Sequence, residues 1–263
     1  ATLLIFLIAL AVLRNSLADM NWLDVRAHLA DLPAFNVAIA IVFMAGSYTA
    51  LTFYDLLAIR FVGGSLRWRQ VAPTAFSAYA IGHNLGVSTL SGGALRLHDY
   101  GRRGLSATQV GGIVAMCAVN FALAANVLID LALLLQPALA ATVLGIAPDS
   151  ARLIGVLNFG FLLGWFWLTA GRSHKPFKLG GHLFTPPKAS FTLRQIVVGV
   201  IDLSCSSAVL YWLLPDLGGV GFAAFVGSYV LAMVAGIASN VPGGLGVFES
   251  VLLLTLPDVP KAE

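Results

Sequence analysis

Apolar runs long enough to fill a bilayer alternate along this chain with short polar links. Phe35–Ile59, Val110–Leu135, Leu153–Ala170, Ile196–Leu214 and Gly221–Ser239 each read as a spanning helix. About 20 apolar residues rising 1.5 Å each cross the ~30 Å hydrocarbon core of a membrane. Thr2–Leu13 is apolar but too short to span by that measure, and the chain opens on Ala. A first helix cut short is therefore expected. Val247–Leu256 is a half-length run that ends at Pro257, six residues before the last residue, so a cut is expected at that end too. The pattern predicts an all-α, polytopic helical membrane protein with about six spanning helices.

Two runs are interrupted. Val71–Leu95 is broken at Gly82-His83-Asn84-Leu85-Gly86 and again at Ser91-Gly92-Gly93. Between Gly221–Ser239 and Val247–Leu256 lies Asn240 to Glu249, read N-V-P-G-G-L-G-V-F-E. Irregular backbone at membrane depth is tolerated only inside protein or beside a wet cavity. Re-entrant or broken helices are therefore expected near residues 71–95 and 240–256. The two glycine breaks hint weakly at an internal repeat.

Composition sharpens the class. Residues are 59% hydrophobic and 10% charged, and the mean hydropathy is +0.89. A soluble domain carries about 25% charged residues. No stretch reads as a separate soluble domain, so residues 1–263 form one transmembrane domain. No basic segment precedes the first apolar run as in a cleavable signal. Cys117 and Cys205 both lie in apolar runs and read as small buried hydrophobes.

The charges also orient the chain. Gly171–Arg194 holds Arg172, Lys175, Lys178, Lys188 and Arg194 and no acid, while Arg60, Arg67 and Arg69 follow the second run. Both links belong on the cytoplasmic side by the positive-inside rule. A single crossing by Val71–Leu95 would place Gly171–Arg194 outside. A hairpin that enters and returns puts every link on its preferred side, with Arg96 back at the cytoplasmic face.

Candidate chemistry is confined to charges that a bilayer does not hold without cause. Asp55, Asp130, Asp202 and Glu249 fall within apolar runs, where an isolated charge costs at least ~2.5 kcal/mol. Asp55 and Asp130 lie near run ends, where reaching the interface is cheap. Glu249, beside Gly243 and Gly244, is the leading functional carboxylate, followed by Asp202. Arg96 follows Gly92-Gly93, and a guanidinium beside glycine backbone suits a phosphate. Arg102 and Arg103 read as an orienting patch at the headgroups. Asn240 adds a side-chain amide at the later break, and His83 and Asn84 are cavity candidates at the hairpin tip. The five histidines show no metal-ligand pair, and no Walker loop or nucleophile elbow is present. No catalytic residue, metal or cofactor is expected.

At these residues the chain resembles a known family. Asn240–Glu249 is similar to the P-G-G-L-G-x-x-E signature of the lysylphosphatidylglycerol synthase transmembrane (flippase) region, as in the bacterial multiple peptide resistance factors. Ser91-Gly92-Gly93-Ala94-Leu95-Arg96 resembles that family's upstream glycine-glycine-arginine element, and Tyr54-Asp55 a further family position. The resemblance runs from about Phe35 to the end of the chain. It implies a multi-pass flippase domain of the bacterial inner (cytoplasmic) membrane, without the soluble transferase domain and the later helices. Such a domain moves aminoacylated phosphatidylglycerol, a membrane phospholipid, to the outer leaflet and so confers resistance to cationic antimicrobial peptides. Lysyltransferase activity is implied only for a full-length protein. Implied headgroup contacts are Arg96 for the phosphate and Glu249 or Asp55 for the ammonium groups. Two alternatives stand beside this: the membrane part of a phosphatidylglycerol lysyltransferase, or a transporter of another lipid or polyprenyl carrier. No nucleic acid partner is expected, and a homodimer is compatible.

The orientation is directly testable. In intact cells, a cysteine placed by Gly180→Cys should resist impermeant thiol reagents added outside and react once the membrane is opened. Labelling from outside would overturn the orientation.

Overall fold

The computed structural model describes residues 30–85, 88–138, 141, 145–171, 177–179, 182–184, 187–214, 217, 219–239, 241, 244 and 246–255. Side chains are described at these positions except 83–91, 165, 168–171, 177–179 and 182–184. The expectations for Thr2–Leu13 and for Asn240 and Gly243 lie outside the described residues.

The fold is helical, as the apolar pattern predicts. Helix α1 spans Ala34–Phe61, α2 Trp68–Leu85, α3 Ser88–Arg102, α4 Ala107–Leu135 and α5 Pro148–Gly171. After a short antiparallel hairpin, β1 Phe177–Leu179 with β2 His182–Phe184, come α6 Ala189–Leu213, α7 Phe222–Ala238 and α8 Val247–Thr255. Among the described residues α1, α4 and α6 are long and apolar enough to cross a membrane, and α7 is a shorter apolar helix. The 24 residues of α5 reach ~36 Å at 1.5 Å each.

The helices overrun the apolar runs because polar residues can extend a helix into the interface. Helix α4 begins at Ala107, ahead of the Val110 boundary, because Ser106 and Gln109 form a capping box. The Ser106 hydroxyl accepts from the Gln109 N–H at 3.2 Å, and the Gln109 carbonyl accepts from the Ser106 N–H at 2.9 Å. That pairing satisfies two N–H groups that a helix start otherwise leaves open. The Gln109 amide also donates to the Val62 carbonyl at 3.1 Å, tying α4 to the end of α1.

The interrupted run 71–95 is a helical hairpin, α2 and α3. Tyr100 lies opposite Val71, Asp99 opposite Thr74, and Gly92 opposite Ala78. These pairs have a nearly constant sum, the mark of antiparallel neighbours. The hairpin turns between Leu85 and Ser88. The expected second break at Ser91-Gly92-Gly93 does not occur: α3 is continuous there. Gly92 serves close packing instead. A Cβ on Gly92 would sit 2.9 Å from the Ala78 carbonyl oxygen, so only glycine lets α3 approach α2 this closely. The later break is real. Helix α7 ends at Ala238 and α8 starts at Val247, and Gly244 and Gly246 both have positive φ, 66° and 80°.

Helix α1 packs along α6, α4 along α6, and α8 folds back on α7. Small residues set these distances, as expected where helices associate without a hydrophobic driving force. A Cβ on Gly199 of α6 would collide with Ala124 of α4 and come within 3.0 Å of the Tyr54 hydroxyl. A Cβ on Gly227 of α7 would lie 2.9 Å from Ala132 of α4. Leu128 of α4, Leu203 of α6 and Val230 of α7 fill the space between these contacts. Gly199→Leu should therefore push α6 off α4 and cost roughly 1–3 kcal/mol. The expected outcome is a lower melting temperature in detergent, and an unchanged one would contradict the close α4–α6 contact.

Candidate functional site

The most polar buried place in the bundle forms around Asp55, which is fully buried near the end of α1. Arg96 of α3 reaches it with two parallel bonds, Nε to Oδ2 at 2.7 Å and Nη2 to Oδ1 at 2.8 Å. Tyr100 lies one turn beyond Arg96 on the same face, and its hydroxyl donates to Oδ2 at 2.7 Å. The Cys117 thiol of α4 donates to Oδ1 at 3.4 Å. The Arg96 guanidinium also stacks 4.6 Å from the centroid of the Tyr79 ring of α2. Helices α3 and α4 thus meet on one carboxylate of α1, and α2 joins the cluster through the Arg96 guanidinium.

Local sequence explains this geometry. An arginine on a helix points back towards the preceding turn, and the residue one turn before Arg96 is Gly92. A Cβ there would lie 3.1 Å from Arg96 Nη1, so glycine makes room for the folded side chain. The glycine-glycine-arginine element is in this respect a packing device. The pair is neutral as a unit. Its geometry is the bidentate, hydrogen-bonded kind needed to offset the cost of removing two charges from water.

A second cluster joins α1 to α6. Asp202 is 5% exposed. It accepts from the Ser47 hydroxyl at 2.6 Å, and Ser47 lies 3.0 Å from the Ser206 hydroxyl. Between α4 and α6 the Gln195 amide donates to the Asn120 carbonyl, and it lies 3.0 Å from the Met116 sulfur. These contacts match polar groups across helices and keep them from lipid.

Glu249 is placed differently. It is exposed, in the first turn of α8. Its Oε2 accepts from the Gly246 N–H at 2.7 Å, and the Ser250 hydroxyl donates to the Gly246 carbonyl. A carboxylate there complements the helix N-terminus. Gly244 is buried against Gly236 of α7: a Cβ on Gly244 would be 3.1 Å from the Gly236 Cα. The break is thus held shut by glycine-on-glycine contact, with Glu249 at its rim.

Of the residues singled out from sequence, the structure brings Arg96 and Asp55 together. It joins neither to Glu249 among the described contacts. Asp202 belongs to its own cluster. His83 and Asn84 lie on α2 near the hairpin turn, and their side chains are outside the described residues. Tyr100, Tyr79, Cys117 and Ser47 escaped the sequence reading. The four-residue spacing of Arg96 and Tyr100 was the available signal for one of them; the others are contacts between distant helices. Among the described residues no three His, Cys, Asp or Glu side chains converge as a metal site would need.

The Arg96–Asp55 pair predicts a non-additive response. Asp55→Asn leaves a buried guanidinium without its counter-charge, at a cost of roughly 3–5 kcal/mol. Adding Arg96→Met removes that charge and should recover most of the loss. Thermal unfolding of the two variants in detergent checks this, and additive losses would contradict a coupled pair.

Comparison with known proteins places this geometry among membrane proteins. No family model matches the chain. It is 34% identical over 254 residues to the uncharacterized protein slr0712 of Synechocystis, covering 96% of this chain and 78% of that protein. It is 24% identical over 260 residues to the inner membrane protein YbhN of Escherichia coli, covering 97% and 79%. A shorter match, 36% identical over 69 residues, joins it to a phosphatidylglycerol lysyltransferase of Staphylococcus epidermidis, covering 26% of this chain and 8% of that protein.

Proposed function

The chain belongs to the family of membrane proteins that includes slr0712 and YbhN, and we propose that it moves an aminoacylated phospholipid between the leaflets of the membrane. It is a multi-pass protein of the inner (cytoplasmic) membrane. The proposed cargo is lysyl-phosphatidylglycerol, carried from the inner to the outer leaflet, where added positive charge repels cationic antimicrobial peptides.

The observation that carries this reading is Glu249. An exposed carboxylate stands at the rim of a glycine break, inside otherwise lipid-compatible sequence. A lysyl headgroup brings two ammonium groups and one phosphate. Passage of that headgroup through bare hydrocarbon is prohibitive, so polar groups between helices are the needed device. Glu249 supplies the charge for the amines. Asp202 is a second proposed acidic contact, and His83 and Asn84 are proposed polar contacts of the cargo. Arg96 takes the phosphate when the hairpin moves and Asp55 is released to the amines. The match to a phosphatidylglycerol lysyltransferase supports this cargo. It also favours a second reading, in which the chain is the membrane part of such a transferase and presents the lipid to a catalytic domain.

Glu249→Gln separates ligand contact from architecture. Glutamine keeps an oxygen for the Gly246 N–H, so only the charge at the helix start is lost, worth about 0.3–1 kcal/mol. In liposomes loaded with lysyl-phosphatidylglycerol, amine-reactive dye should report fast exposure with the natural protein. With Glu249→Gln the rate should fall by roughly tenfold or more while the melting temperature stays nearly constant, since a lost charge contact of ~1.4 kcal/mol is one decade. Rates equal to those of protein-free liposomes for the natural protein would remove the flippase reading.

A further inference from the structure

Asp130 is a buried acid that none of the contacts above uses. It is 2% exposed on α4, and neither carboxylate oxygen has a hydrogen-bond partner. Its setting is well defined. One turn earlier on the same helix, Asn126 accepts from the Asn158 amide of α5 at 2.6 Å. One turn later, α4 and α5 close: a Cβ on Gly155 would be 3.0 Å from Leu133 Cβ and 3.1 Å from Leu134. Asp130 falls between these two registers, in the seam of α4 and α5, with amides on one side and leucines on the other.

Among the described residues no charged group is recorded against it. The charges of α5 are Asp149 and Arg152, both exposed at that helix's start. On α6, Asp202 is held by Ser47, and Arg194 lies eight residues from it towards the opposite end. Helix α7 brings Tyr229, beside Phe248. Asp55 of α1 and Arg96 of α3 answer each other, and Asp99 of α3 accepts from Thr74. Asn158 is the polar side chain on the α5 side of the seam, and its amide donates to Asn126.

A bare carboxylate without a hydrogen-bond partner is costly inside a membrane bundle. An alkali cation would need several oxygens, and the Asn126 side-chain carbonyl already spends one of its two lone pairs on Asn158. The remaining neutral form is the carboxylic acid. We infer that Asp130 is a proton-binding site of the bundle, a carboxyl that carries a proton in the closed α4–α5 seam and exchanges it with water at the near end of α4. That end is five residues on, at Leu135, or ~7.5 Å along the helix axis. Loss of the proton puts a charge into the seam and favours its opening, so a proton gradient has a point of action on the α4–α5 contact. The inference does not depend on which lipid, if any, the protein moves.

Dicyclohexylcarbodiimide tests it on the whole protein in liposomes, because this apolar reagent attacks protonated carboxyls and leaves a stable N-acylurea that mass spectrometry can place. Asp130 should carry the adduct, and its yield should fall roughly tenfold or more as the pH rises from about 6 to about 9. Asp55, engaged with Arg96, should stay unlabelled. Asp130→Asn should lose the adduct at this position and keep the melting temperature of the natural protein at pH about 6, since the amide is neutral like the acid. Absence of the adduct at Asp130 across that range would overturn the proposal. Protection by sodium but not by choline at constant pH would overturn it too, in favour of an alkali cation.

Discussion

The ion pair of Arg96 and Asp55 is the interaction on which the arrangement of the first four helices depends. Neither charge is tolerable alone at this depth, since removing one partner strands the other in a low dielectric. The pair therefore fixes α3 against α1, Tyr100 strengthens the same bond from α3, and Cys117 brings in α4. The α2–α3 hairpin is held to α1 by this pair, a polar clasp, and by the Trp68 indole N–H donating to the Thr52 hydroxyl at 2.8 Å, and it is held together by Thr74 with Asp99 and by the fit of Gly92 on Ala78.

The rest of the bundle obeys the same constraint by different means. Away from the clasp, helices approach through glycine and alanine: Gly199 on Ala124, Gly227 on Ala132, Gly155 on Leu133. Close backbone approach replaces the hydrophobic drive that lipid removes. Polar side chains then appear where two helices can match them, as Asn120 with Gln195, Ser47 with Asp202, and Asn126 with Asn158. Asp130 stands out against this background because matching is the rule and its two oxygens lack a match.

The apolar runs made the helices legible, since length and composition alone decide what can cross a bilayer. The hairpin was legible as well, because a single crossing would have misplaced five positive charges. Helix starts were read too late. The Ser106–Gln109 capping box lies in plain sequence, but hydropathy does not register it, and the same bias hid the first residues of α5 and α6. The glycines at 92 and 93 looked like a break because glycine is a poor helix former in water, a preference that close helix contact overrides. Arg96 and Asp55 were each singled out as charges needing a cause. Their pairing was not legible, because 41 residues separate them and nothing local records which helices touch. The same holds for Cys117, which reads as a small hydrophobe until Asp55 is placed beside it.

Arg96 and Glu249 now have unequal standing as headgroup contacts, and the reason is electrostatic. Arg96 is satisfied twice by a carboxylate and once by a ring, so a phosphate gains it only by competing with Asp55. That exchange becomes favourable when something else takes up the charge of Asp55, and an ammonium group of the same headgroup is suited to do so. In the proposed function the phosphate and one ammonium group of the headgroup exchange partners with the clasp, and the second ammonium group of this net-positive headgroup is left for Glu249, whereas a purely anionic lipid would leave Asp55 unpaired. Glu249 needs no such exchange: it is exposed, and its bond to the Gly246 N–H uses one oxygen and leaves the other free to accept. On this ground Glu249 is proposed as the contact a headgroup meets first, and the Arg96–Asp55 clasp as the one that would distinguish a lipid bearing both signs of charge from a lipid bearing one.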